Sequence, residues 1–116
     1  MDIKKFPPTI QRLITAVTGQ DGATSTTLRR QAMDRAVGLG VGEPTVPDIP
    51  TEWETYIDTV IKHAYRVTDT QTDRLLANGH SEDEIFELTI ASALGAGVAR
   101  LERGLSAVEA ASGKRS

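Results

Sequence analysis

Asn78 to Leu105 reads NGHSEDEIFELTIASALGAGVARLERGL. Ser81 with Glu84 three residues on forms a capping-box pattern, and Glu82, Asp83 and Glu84 put negative charge in the first turn, where the helix dipole favours it. Behind that start, Phe86, Ile90, Leu94, Val98, Leu101, Leu105 and Val108 recur at helical spacing. The later intervals alternate four and three, as in a packed helical seam. A long helix running to about Ala110 is expected, with these residues as its inner stripe. Its middle is built of Ala91, Ala93, Gly95, Ala96 and Gly97. A glycine inside a helix costs about 1 kcal/mol against alanine. Close approach of another helix is the simplest compensation.

Upstream, Thr68 and Gln71 form a second capping-box pattern, followed by Leu75, Leu76 and the stop Asn78-Gly79. Before that, Trp53, Tyr56, Ile57, Val60, Ile61 and Ala64 form an unbroken apolar stripe, which predicts a helix from about Thr51 that fades near Tyr65-Arg66-Val67. The segment GLGVGEPTVPDIP, 38–50, carries three glycines and three prolines, and no helix is expected to survive there. Two shorter helices are expected ahead of it. One follows Pro7-Pro8, with Thr9 as N-cap, Ile10, Leu13, Ile14 and Val17 on one face, and Gly19 at its end. The other starts near Thr24 or Ser25, with Leu28, Ala32, Met33 and Ala36 inside and Arg29, Arg30, Asp34 and Arg35 outside.

The chain has 116 residues, which suits one domain. Within it, 1–43 form an N-terminal helical pair, 44–50 a Pro-rich linker, 51–110 the core helices and 111–116 a frayed tail. Aromatic residues are 4% of the chain, so the core must be aliphatic and small, which favours close-packed helices over a sandwich. The net charge of −3 argues against a nucleic-acid partner, although Arg29-Arg30 and Lys114-Arg115 are locally basic. No apolar run is long enough for a signal peptide core or a membrane span, which makes a cytoplasmic location the default expectation. The absence of cysteine excludes disulfides, thiolate nucleophiles and Cys-ligated metal centres.

The stretch from Tyr65 to Leu105 places a Gly-terminated helix before a Ser-capped acidic turn and a long helix with an Ala/Gly-rich middle. In this it resembles the carboxymuconolactone decarboxylase and alkylhydroperoxidase-D superfamily, over about half the chain from Glu52 to Val108. The peroxidase branch of that superfamily carries a Glu and, twelve residues later, CxxCxxxH. Anchored on Gly79 and the Ser81–Glu84 turn, the resemblance places Glu52 on the family glutamate. Ala64 and Val67 then fall on the two cysteines and Gln71 on the histidine. Alanine and valine form neither a sulfenate nor a disulfide, so the peroxidase chemistry is absent. The decarboxylase branch needs no cysteine pair, and a carboxylate with a histidine could serve it as acid and base. Glu52 and His63 are the candidates, eleven residues apart. His80, directly after the Gly79 stop, is expected to face water or cap carbonyls. An ordinary surface or packing role is the competing reading for both histidines.

Other motifs carry less. The GLGVG run at 38–42 lacks the strand before it and the helix after it that a phosphate loop needs. Glu82, Asp83, Glu84 and Glu87 point in different directions from a helix and cannot converge on one metal ion. Read as a helix-turn-helix, the 75–95 region would present SEDEIFE to DNA, which repels phosphate.

The sequence therefore predicts an all-α bundle of about five helices, with the long C-terminal helix as its spine and the Trp53–Ala64 helix packed on it. The resemblance and the small-residue seam together imply a homo-oligomer, with no cofactor and no metal. The leading expectation for function is an oligomeric binding or assembly module without peroxidase activity, open to a further protein partner. The alternatives are a cysteine-independent decarboxylase using Glu52 and His63, and a carrier of small apolar ligands. Trp53, Tyr56 and Gln71 are the candidate pocket residues, with Ile57 beside them.

Overall fold

The computed structural model describes residues 3–63 and 66–113. A single 3-10 turn, Ile3–Lys5, precedes five helices: α1 (Pro8–Gly19), α2 (Thr26–Val41), α3 (Thr51–His63), α4 (Asp69–Ala77) and α5 (Glu82–Ser112). No strand occurs among the described residues, and no helix there is long and apolar enough to cross a membrane. The bundle is elongated, 55 × 28 × 23 Å, because the 31-residue α5 outruns the other helices.

Most helix starts follow the local chemistry. Ser25 accepts a hydrogen bond from the Leu28 amide at the head of α2. Thr68–Gln71 and Ser81–Glu84 both form complete capping boxes, at α4 and α5. Helix α1 differs from expectation: Pro8 is its first residue and Pro7 precedes it, so Thr9 is inside the helix. Proline at N1 brings the right φ and sacrifices an amide that had no helical partner. Gly79 closes α4 with φ +94°, and the His80 amide returns to the Leu75 carbonyl.

Helix α2 departs further. It continues through Gly38 and Gly40 to Val41 and stops at Gly42, whose φ of +79° is the actual break. The glycines inside it are contact residues. A β-carbon on Gly40 would lie 2.4 Å from Ala99 Cβ, and one on Gly95 would lie 2.4 Å from the Met33 carbonyl oxygen and 2.6 Å from Ala36 Cβ. The α2–α5 pair is accordingly the most extensive contact in the molecule, ahead of α3–α5. The helix expected to pack on the spine does so, but α2 is the principal partner.

The larger core cluster joins Trp53, Ile57, Leu75 and Leu88 with Ala32, Ala36 and Ala91. A smaller one gathers Phe6, Ile14, Met33 and Val98 under α1. The inner face of α5 is Ile85, Leu88, Ala91, Ser92, Gly95, Val98 and Ala99. This corrects the expected stripe. Of its members Val98 is buried, while Phe86 and Val108 are each 65% exposed and Ile90 39%. From Arg103 onward every described residue of α5 is exposed.

Arg29 and Arg35 also depart from their expected outward placement. Arg29 is 5% exposed and donates to the carbonyls of Val17 (2.7 Å), Thr24 (3.4 Å) and Gln20. Its Nε lies 3.8 Å from Glu87 Oε1. Glu87 accepts from the Ala23 amide (2.7 Å), the Thr24 amide (2.8 Å) and the Thr24 hydroxyl (2.6 Å). The α1–α2 turn is thereby fastened to α5. Arg35 makes a bidentate pair with Asp58 at 2.7 and 2.9 Å and donates to the Pro47 carbonyl, which ties the linker to α2 and α3.

Candidate functional site

Two places hold the candidate residues, at opposite ends of α3. At its start, the His80 ring lies tilted at 47° against Trp53, with centroids 4.5 Å apart. His80 Nε2 lies 3.3 Å from Glu52 Oε1 without hydrogen-bond alignment, and Nδ1 lies 3.7 Å from Glu84 Oε2. The other oxygen of Glu84 accepts from the Ser81 amide at 2.8 Å. Chiefly through that backbone bond, and with help from the Ser81 hydroxyl and His80, the Glu84 carboxyl is held below its ordinary range. His80 is thus enclosed between two carboxylates and an indole. It locks the α4–α5 turn to the head of α3 and does not face water as the sequence implied. Trp53 is fully buried in this clasp, so it offers no surface to a ligand.

At the other end of α3, a groove of about 480 Å³ opens between α3 and α5. Tyr56, Val60, Ile61, Val67 and Ala96 form its floor, with Lys62, His63 and Arg100 around the rim. Burial of Val60 and Ile61 in the core fixes the helix phase that brings Tyr56 and His63 to the same opening. The Thr89 hydroxyl donates to the Ile85 carbonyl at 2.6 Å and lies 2.7 Å from the Tyr56 hydroxyl. Thr89 has only one hydrogen to give, so Tyr56 is the donor of that second bond. The phenol is anchored and leaves only acceptor capacity toward the groove.

The candidate residues therefore separate. Tyr56 and His63 share the groove. Glu52 does not: it lies with His80, and eleven residues of helix put it about 16 Å along the axis from His63. Gln71 is committed elsewhere. Its Oε1 accepts from the Thr68 amide and its Nε2 donates to Thr59 Oγ1. Of the positions that the resemblance assigns to cysteine, Val67 lines the groove and Ala64 lies outside the described residues. Lys62 and Arg100 were missed in the sequence reading. A charged residue flanking an apolar stripe reads as solvent-facing, and only the crossing of α3 with α5 brings these two to one rim. Among the described residues, no group of three or more His, Asp or Glu side chains is placed to hold a metal ion. In comparisons with known proteins, no family model, curated protein or solved structure matches this chain.

Proposed function

We propose that this chain is a self-associating helical module on a core of the alkylhydroperoxidase-D type, which acts by binding and assembly and not by thiol chemistry. The observation that carries this reading is the outer face of α5. Phe86, Ile90, Ala93, Gly97, Gly104 and Val108 are all exposed there, and their spacings of four, three, four, seven and four keep them on one side of the helix with half-buried Leu101. From Phe86 to Val108 this ridge is about 33 Å long. A contiguous exposed apolar strip of this kind marks an interaction surface.

The ridge is complementary to itself. Reversed about Gly97, Val108 comes opposite Phe86 and Gly104 opposite Ile90, while Ala93 comes opposite Leu101, which is partly packed on the Phe6–Val98 cluster. At the Ile90 level a large side chain meets a glycine, and the glycine at the centre lets two backbones approach, since nothing lies within 4 Å of a β-carbon built there. This favours an antiparallel pair of α5 helices around a two-fold axis. The decarboxylase alternative has no comparable support, because its acid and base are about 16 Å apart along α3.

Analytical ultracentrifugation across micromolar concentrations tests the reading. A dimer for the wild type and a monomer for Ile90→Glu are expected. A wild type that stays monomeric throughout refutes it. Because the chain has no cysteine of its own, Gly97→Cys adds a clean second test. It should cross-link to itself on mild oxidation, since a disulfide requires β-carbons about 3.5–4.5 Å apart.

A further inference from the structure

We propose that the groove between α3 and α5 binds a medium-chain alkyl carboxylate, with the chain on the floor and the carboxylate at the rim between Lys62 and Arg100. This goes beyond the self-association reading and does not rest on it. Apart from Ala93, the groove residues lie off the α5 ridge.

Three observations converge on this ligand class. The floor is aliphatic and aromatic, and its polar groups are already satisfied: Tyr56 donates to Thr89, and Thr89 donates to the Ile85 carbonyl. A polar head finds no hydrogen-bond donor on that floor, whereas an alkyl chain loses nothing by lying on it. The rim is cationic. Neither Lys62 nor Arg100 pairs with a carboxylate among the described residues, and no acidic side chain lines the groove. By contrast, Arg35 at the α2–α3 contact is matched by Asp58, and Lys5 by Glu102 on α5. Two unmatched cations above an apolar floor complement an anion on an apolar body. Finally, the volume of about 480 Å³ falls within the span of small-molecule sites and is too small for a docked helix.

The test uses the full chain with decanoate, and decanol as the uncharged control of the same length. Binding is followed by isothermal titration and by amide shifts, with light scattering recording the oligomeric state in parallel. Saturable binding of one decanoate per chain is expected, with shifts at Val67, Ala93 and Ala96. Decanol should bind at least about tenfold more weakly. Lys62→Glu/Arg100→Glu should lose at least about tenfold in decanoate affinity and leave decanol binding unchanged. Both substitutions are at exposed positions, and an unchanged circular dichroism spectrum verifies the fold. The inference is overturned by the absence of saturable binding, by equal affinity for decanoate and decanol, by indifference to the double substitution, or by shifts confined to Phe86, Ile90 and Val108. A monomeric protein that binds decanoate as described sinks the self-association reading alone.

Discussion

Gly95→Ala and Gly97→Ala make the same chemical change two residues apart on α5, and the packing gives them opposite signs. At Gly95 the new methyl would stand 2.4 Å from the Met33 carbonyl oxygen and 2.6 Å from Ala36 Cβ. Ordinary van der Waals contact begins near 3.4 Å, so α2 and α5 must separate by about 1 Å. Neither obstacle is a flexible side chain that can turn away. The separation loosens the contact that also buries Ala32, Leu88 and Ser92. Overpacking costs about 1–3 kcal/mol, and two rigid obstacles put this case in the upper part of that range, about 2–3 kcal/mol, of which the gain in helix propensity returns up to about 1 kcal/mol. The net expectation is a loss of about 1–2 kcal/mol for Gly95→Ala. Gly97 has open space around it, so its variant keeps the propensity gain, about 0.8–1 kcal/mol.

Urea unfolding followed by far-ultraviolet circular dichroism measures both, at protein concentrations low enough to remove any self-association from the midpoint. The two variants should differ by roughly 2–3 kcal/mol, which corresponds to about 8–12 °C in Tm for a chain of this size. A Gly95→Ala midpoint at or above that of the wild type would refute the close α2–α5 approach. A loss of stability in monomeric Gly97→Ala would refute the open environment of that residue. At higher concentration Gly97→Ala carries a second expectation: the more stable monomer should associate more weakly, because the methyl stands where the two α5 backbones are proposed to meet.

Three further substitutions probe the fastenings of the bundle. Burial opposes ionisation of Glu87, but its bonds from Thr24 and Ala23 and the nearby Arg29 outweigh this and hold its carboxyl below the ordinary value near 4.5. Glu87→Gln, which presents amide hydrogens to those donors, should cost about 2–3 kcal/mol at neutral pH. A depressed folded-state value gives stability that is complete above the unfolded value and lost as pH falls through the folded one, so the gap in urea midpoints should hold down to about pH 5 and close below 4.5. A gap that widens on acidification contradicts this. Arg29→Met, which strips three carbonyls of their donor and leaves Glu87 without its cation, should cost about 3–5 kcal/mol by the same melts. Asp58→Asn, which breaks the bidentate pair with Arg35, should cost about 1–2 kcal/mol, and an unchanged midpoint would mean that the pair is incidental.

What the sequence disclosed depended on how local the cause was. Both capping boxes, the Gly79 stop and the α3 stripe from Trp53 to Ile61 rest on patterns local in the chain, and all appear where those patterns put them. The end of α2 was misplaced because Gly38 and Gly40 look like breakers until Val46 and Ala99 are brought against them. Arg29 looked exposed because three of its acceptors belong to other segments that converge on it only in the fold. The site divided in the same way. Tyr56 and His63, on one helix, were legible as neighbours across two turns. The cationic rim required α3 and α5 to cross, and the engagement of Glu52 by His80 required the α4–α5 turn to fold back on Trp53.

The error in the phase of α5 carries the most information. Hydrophobic periodicity assumes that the largest apolar residues face inward, and on this helix many of them do not. Its buried face includes Ala91, Ser92, Gly95, Ala96 and Ala99, while Phe86, Ile90, Leu105 and Val108 are exposed. Small residues are required inside because α2 approaches so closely that Gly95 has no room for a methyl group. That requirement explains the inner face and leaves the outer one unexplained, since a helix facing only water gains nothing from Phe, Ile, Leu and Val at this spacing. Nor does the length of α5 add to the core beyond Arg103, where every described residue is exposed and a helical end of this length is marginal on its own. The proposed antiparallel pairing about Gly97 would account for both at once. It would cover the outer ridge near Phe86 with the overhanging turn at Val108 of a second copy, and would give that overhang the packing it otherwise lacks.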